Sequence, residues 1–250
     1  MTTGVLMYCF DTPEFNYHKL AERCVAQICK HLKLKITIVT NLETHKKFKP
    51  MEMVNYKLVE NKTTNTRPYR GKSVAWYNKE RALAYEHSPY DTTILMDCDY
   101  FVFSSTLLEL ADTKFDMMLH DRVHDLTGKD MIEGTDESTL PLVWATVTLF
   151  RKTENTEEIF AMIKHVQEYY SHYRNLYRIR YINYRNDYAF AIALHQLNLG
   201  SRIPTPMTML SSTVDVIDSD EDGIVFKYND DISFTTGQDV HVMDKGWCNG

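Results

Sequence analysis

The sequence predicts an α/β protein in which a mostly parallel sheet is flanked by helices, formed as a single domain over residues 1–250. Three observations predict it. Short runs of apolar and β-branched residues alternate with stretches of helical period from the N-terminus onward. The opening reads strand, helix, strand, an order that builds parallel strands with a right-handed crossover. A chain of 250 residues is also long enough for one large α/β domain with a well-buried core.

The elements follow in order. Residues 4–10 read as the first strand, closed by Asp11, Thr12 and Pro13. Leu20, Cys24, Val25, Ile28 and Leu32 then recur at helical spacing, and residues 36–40 form a second strand stopped by Asn41. Residues 61–72 are polar without a period and read as a loop, either a substrate loop or a plain surface connection. A helix is expected over 73–86, a buried strand over 92–103, and a further helix over 105–110. Residues 114–120 form the next strand, 125–138 a polar loop, and 143–151 a strongly strand-like run. Thr153 is placed to cap a helix reaching residue 170, with Glu157 and Glu158 in its first turns. Asn186 or Asp187 opens another helix over the apolar run to His195. Asp218, Asp220, Asp222 and Gly223 begin like a calcium loop, but the twelfth position is Asn229 and both flanks are strand-like, so an acidic hairpin is expected. A strand-like run at 232–234 precedes the C-terminal stretch 239–247.

Composition narrows the class. The net charge of −6 does not announce nucleic acid or an acidic membrane as a general partner. Five cysteines, an odd number without a C-x-x-C pair, argue for reduced thiols and against a disulfide framework or a zinc site. No stretch approaches the roughly 20 apolar residues that span a bilayer. No basic segment precedes the first apolar run, so a soluble protein of the cytoplasm is expected, or of the host cytoplasm if the chain is viral.

The chemistry concentrates at residues 92–103. Asp97 and Asp99 interrupt this apolar run with one small residue between them, and alternation along a strand puts both on one face. Two carboxylates in such a run are costly unless a cation compensates them. Hard oxygen ligands suit Mn²⁺ or Mg²⁺, which commonly carry substrate phosphates in their remaining positions. Asp-x-Asp alone is a weak pattern, since Asp218 and Asp220 match it too; the helix–strand–helix context gives it weight. The plain alternative is an acidic strand end that caps the next helix. Open sheets bind ligands beyond the carboxyl ends of their strands, which makes Tyr8, Phe10 and Asp11 candidates for a nucleotide base and ribose. Tyr8 and Phe10 fit equally well as core aromatics. Residues 169–185 interleave tyrosines with Arg174, Arg178, Arg180 and Arg185, a mix that suits a phosphate-rich partner or, more plainly, an amphipathic helix.

Helix, buried strand ending in Asp97-x-Asp99, then helix resembles the centre of the GT-A nucleotide-sugar glycosyltransferases. The resemblance implies a Rossmann-like GT-A domain whose two acids hold the metal that carries the donor diphosphate. It implies a nucleoside-diphosphate sugar as donor, a UDP-sugar first. It also implies that a cation before the acid strand, Lys79 or Arg81, touches the donor, although a solvated helix face explains either residue. The strand over 144–150 would line the acceptor side. Asn186 and Asp187 resemble the polar pair that faces the reacting sugar in retaining members, the plain reading being that Asp187 interacts with its helix N-terminus. His241, Lys245 and Trp247 are similar to the closing His-x-x-Gly-x-x-Lys-Pro-Trp signature of the glycogenin and bacterial galactosyltransferase branch, family eight. By that likeness His241 is the third metal ligand and Lys245 holds the diphosphate leaving group. The chain departs from the signature in a shorter His-to-Lys spacing, in Asp244, and in lacking a proline before Trp247.

Resemblance to this branch implies transfer with retention; an inverting enzyme would use Asp187 or Asp121 as general base. The acceptor expected from the four arginines is a hydroxymethylated base in DNA, flipped out of the duplex. A glycan or protein is the alternative. Two other classes compete. A nucleotidyltransferase or nucleotide-sugar hydrolase would use the same carboxylates, the former disfavoured because no Gly-rich phosphate loop follows the first strand. A binding module would keep Asp97 and Asp99 as structural groups.

Overall fold

Alternate residues of a strand go to opposite sides of its sheet, and in the first strand this sorts the core. The computed structural model describes residues 1–60, 65–69, 71–77, 79–128, 130–131, 140–220 and 222–247. β1 (Thr3–Tyr8) sends Val5 and Met7 into one apolar cluster and Leu6 and Tyr8 into another. α1 (Tyr17–His31) packs Leu20, Cys24, Val25 and Ile28 into the first cluster, with Lys30 and His31 suited to the dipole of its last turn. β2 (Lys35–Thr40) follows, and Asn41 caps α2 (Leu42–His45) by accepting from the Thr44 amide at 2.8 Å. β3 (Val54–Leu58) ends the sheet on this side.

The next stretch departs from the sequence expectation. The loop expected over 61–72 and the first part of the helix expected over 73–86 pair instead as a hairpin, β4 (Thr66–Tyr69) with β5 (Lys72–Ala75). Residues 61–64 and 70 of that expected loop lie outside the described residues. Val74 and the aromatics after it favour a pleated surface, and the pairing buries Val74. Helix remains as a 3₁₀ turn, Lys79–Leu83, and α3 (Ala84–His87). β6 (Thr92–Asp97) is the expected buried strand, but it ends at Asp97. The chain turns at Cys98 and Asp99 and resumes as β7 (Tyr100–Phe101) in a second sheet, so Asp97 ends a strand, Asp99 lies in the turn, and the acids do not share one strand.

α4 (Thr106–Ala111) and β8 (Met117–His120) fall where expected. The polar loop over 125–138 contains part of a small pairing, β9 (Val123–Asp125) with β10 (Asp130–Met131); residues 129 and 132–139 lie outside the described residues. β11 (Trp144–Arg151) is followed by α5 (Glu154–Glu168), whose cap, Thr153, accepts from the Thr156 amide at 3.3 Å. α6 (Tyr170–Leu176) and α7 (Asn186–Leu197) come next, then β12 (Ser201–Arg202) and β13 (Met207–Leu210). The acidic hairpin is present as β14 (Asp215–Ser219) and β15 (Ile224–Tyr228), joined by β16 (Asp231–Phe234). β17 (Val240–Val242) is the last strand.

The central sheet runs β12-β8-β11-β6-β1-β2-β3. It is mostly parallel, with β11 antiparallel to both neighbours. α5 and α7 cover one side through Phe160, Ile163, Phe190 and Ile192. The other side takes α1, Leu107 of α4, and the second sheet, β10-β9-β13-β17-β7. Among the described residues no helix is long and apolar enough to cross a membrane. Cys9, Cys24, Cys29 and Cys98 are free, and Cys248 lies outside the described residues.

Candidate active site

Asp97 stands at the carboxyl end of β6 and Asp99 in the turn after it. His241 reaches them because β17 pairs antiparallel with β7, setting His241 opposite Tyr100, while the Val242 amide donates to the Asp99 carbonyl at 2.9 Å. Ligand-capable atoms of Asp97, Asp99 and His241 then lie within 4.8 Å of one another. His241 Nε2 is 3.3 Å from Asp99 Oδ1. Lys245 is buried beside them; its ammonium donates to the Asp99 carboxylate and, at 2.7 Å, to the Val242 carbonyl. Burial alone would raise the Asp99 pKa, but the adjacent Lys245 and His241 reverse this and hold it well below the usual carboxylate range.

Asp97 has the opposite balance. Burial raises its pKa, and the Arg81 guanidinium opposes that rise without cancelling it. Arg81 is fully buried, an arrangement that costs heavily unless the charge is paired. It donates to Asp97 and to the carbonyls of Ala145 and Thr146. Those carbonyls belong to a register shift in β11 between Trp144 and Thr148, so Arg81 supplies donors where the ladder is interrupted.

These groups line a cleft of about 650 Å³, within the roughly 300–1,000 Å³ of small-molecule sites. Tyr8, Phe10, Asn186 and Asp187 also line it. The Tyr8 hydroxyl meets His87 Nδ1 at 2.9 Å. Asp187 accepts from the Ala145 amide at 2.9 Å and from Arg185 at 3.0 Å, and Asn186 accepts from the Tyr184 hydroxyl at 3.0 Å. Four expected residues stand away from the cleft lining. Asp11 is paired with His18 and Lys47, Asp121 lies 3.5 Å from Arg202, and the Lys79 carbonyl accepts from Gln167. Trp247 packs on Phe101 and under the guanidinium of Arg23.

The Tyr/Arg stretch divides. Arg180 and Arg185 line the cleft; Arg174 and Arg178 do not. Arg174 donates to the Tyr181 carbonyl at 3.1 Å, and Arg178 adopts a left-handed backbone at the end of α6.

No protein-family model and no curated protein matches the sequence. Solved structures do match. The galactosyltransferase LgtC in complex with donor and acceptor sugar analogues is 13% identical, with a TM-score of 0.52 over 80% of this chain and 72% of that one. Mouse xyloside xylosyltransferase 1 is 12% identical, with a TM-score of 0.50 over 81% and 85%. The bifunctional glycosyltransferase WbbM is also 12% identical, with a TM-score of 0.50, over 81% of this chain and 39% of that one. The chain has the GT-A fold.

Within this GT-A cleft, two carboxylates and an imidazole offer the hard oxygen and nitrogen donors that fit Mn²⁺ or Mg²⁺. His241 Nδ1 is buried without a hydrogen-bond partner. Several lining residues carried no signal in the sequence. Tyr17 sits on α1 among ordinary helical residues, and Trp76 and Tyr77 fell inside the expected helix. Arg67 comes from the polar stretch read as a loop, where the suggestion of a substrate loop was the one pointer to it.

Proposed function

We propose that this protein is a single-domain, metal-dependent glycosyltransferase that moves a sugar from a nucleoside-diphosphate sugar to an acceptor hydroxyl. The observation that carries this reading is the meeting of Asp97, Asp99, His241 and Lys245 on the wall of a GT-A cleft. Asp97, Asp99 and His241 would hold Mn²⁺ or Mg²⁺, which when bound supplies charge neutralisation for a departing diphosphate. Lys245 adds a fixed positive charge beside it. Arg81 keeps Asp97 in place, and the rings of Tyr8 and Phe10 offer faces for the base, uracil being the first to test.

Asn186 and Asp187 orient the reacting sugar. Both Asp187 oxygens already accept hydrogen bonds, and Asp121 is away from the cleft lining, which argues against either as the general base of an inverting reaction. This favours transfer with retention; a product anomer opposite to the donor's, read by NMR, overturns that outcome. A glycan hydroxyl is the acceptor we favour, because Trp76, Tyr77 and Tyr181 are among the residues that line the cleft, and aromatic rings suit stacking by a sugar ring. A base in DNA has less support, since Arg174 and Arg178 stand off the cleft and Arg185 is paired with Asp187.

The test is a thermal-shift panel of nucleoside diphosphates and their sugars, with and without Mn²⁺, on wild type and Asp99→Asn. One nucleotide is expected to stabilise wild type only with metal, by about 2.7 kcal/mol at a hundredfold excess over Kd, and Asp99→Asn to lose the effect. No shift under any condition returns the carboxylates to a structural role. Release of free sugar without any acceptor identifies a hydrolase instead.

A further inference from the structure

Charge is unevenly placed along this chain. Residues 215–234, which span the three-stranded sheet β14-β15-β16, hold seven acids and one lysine, a net of −6 that equals the charge of the whole protein. Residues 169–185 hold four arginines and no acid; Arg185 is paired with Asp187 just beyond the segment, whose other cationic side chains are Arg174, Arg178 and Arg180. The exposed large apolar side chains follow the same division: of the ten among the described residues, Ile217, Ile232 and Phe234 lie on the acidic sheet, and Tyr169, Leu176, Tyr181 and Ile182 on the basic segment. Seven of ten on two patches is far from the scattered singles of an ordinary surface.

Register makes the acidic patch one face. Phe234 pairs with Val225 and Ile232 with Lys227, two residues apart on each strand, so both apolar side chains point to the solvent side, opposite the buried Phe226 and Ile224. All four residues of β16 are exposed, and among the described residues no strand pairs with its outer edge.

The two patches cannot cover each other within one copy. Val216, Ile224 and Phe226 root the acidic sheet in the core cluster on one side of the central sheet. Tyr170, Ile179 and Tyr184 root the basic segment in the cluster on the other side. Self-pairing of two acidic sheets would bring like charges together, which disfavours that contact. We propose that the acidic, apolar sheet of one copy docks on the basic, aromatic segment of a second copy, a head-to-tail contact. Such a contact is heterologous, so it builds rings or open chains and not a closed two-fold dimer. It also sets the neighbour's sheet at the rim of the cleft, because Arg180, Tyr181 and Ile182 belong to both surfaces.

Sedimentation velocity over a concentration series tests this on the intact protein. One variant carries Arg178→Glu and Arg180→Glu; the other carries Asp230→Lys and Asp231→Lys, all at exposed positions. Wild type is expected to gain mass with concentration at low salt and to lose it when salt is added. Each variant alone is expected to associate about tenfold or more weakly. A mixture of the two is expected to regain association, because it restores one native pairing of opposite charges. Circular dichroism on each variant separates lost association from lost fold. A wild type that stays monomeric at every concentration overturns the proposal. So does undiminished association of the folded Arg178→Glu, Arg180→Glu variant, which points to an edge-to-edge contact through β16 instead.

Discussion

Gly4 shows how tightly one residue fixes this fold. It sits in the middle of the sheet on β1, and a Cβ there would stand 2.4 Å from ring atoms of Tyr90. Tyr90 is buried and its hydroxyl meets Thr37 on the neighbouring β2 at 2.9 Å, so the ring has little freedom to retreat. Gly4→Ala is therefore expected to destabilise the protein by about 1–3 kcal/mol, as overpacked cores do. Urea unfolding measures it, and the cause is separated by repeating Gly4→Ala on a Tyr90→Ala background, where the substitution should cost little. An equal loss in both backgrounds would mean that the ring is not what excludes the side chain. At the same scale, Asp97 and Asp99 show why two identical side chains differ: burial acts on both, but only Asp99 has an ammonium against it. That difference was invisible in the Asp-x-Asp spacing, because Lys245 lies 146 residues away in sequence.

The interrupted strand β11 depends on Arg81. Where the register shifts between Trp144 and Thr148, the carbonyls of Ala145 and Thr146 find their donors on that guanidinium, which also pairs with Asp97. Arg81→Met would leave the carboxylate and both carbonyls without it, and breaking a buried pair in this way costs about 3–5 kcal/mol. Arg81→Lys should recover part of the loss, since one ammonium cannot reproduce a planar fork. Amide exchange is the measurement that locates the effect: protection should fall first over residues 144–148. Uniform loss across the sheet would assign Arg81 a general packing role. Local sequence signal differs from element to element. β1, α1 and β2 were legible because their apolar periods are local and uninterrupted. The hairpin β4–β5 was not, since its first strand is polar and its second imitates the start of a helix. The candidate site was legible where chemistry stood out against an apolar run, at Asp97 and Asp99. His241 could be placed through its likeness to a known signature, but the β7–β17 pairing that delivers it is a long-range contact no local pattern encodes.

At the scale of the whole molecule, the central and second sheets meet at His120. It ends β8 in one sheet, three residues before β9 opens in the other, and its Nδ1 lies 3.0 Å from the Thr205 carbonyl between β12 and β13. The ring is buried and its Nε2 has no partner. Burial pushes its pKa down from 6.5 to about 4; the Thr205 carbonyl and Asp121 pull the other way without restoring it. The native state thus holds a neutral imidazole where the unfolded chain holds one that protonates near 6.5. Stability from this group is complete above that value. It falls as the pH drops from 6.5 toward 4, by up to about 1.4 kcal/mol per pH unit, and stops falling once the native imidazole also protonates. Unfolding free energies measured by urea across this window should show the slope in wild type and a flatter one in His120→Gln, which can still donate to the Thr205 carbonyl but carries no titrating proton. The variant should be somewhat less stable than wild type at neutral pH and comparatively better at pH values near 4. Identical slopes in the two proteins would move the acid sensitivity to other groups, and His120 would then be a packing residue at the junction of the sheets.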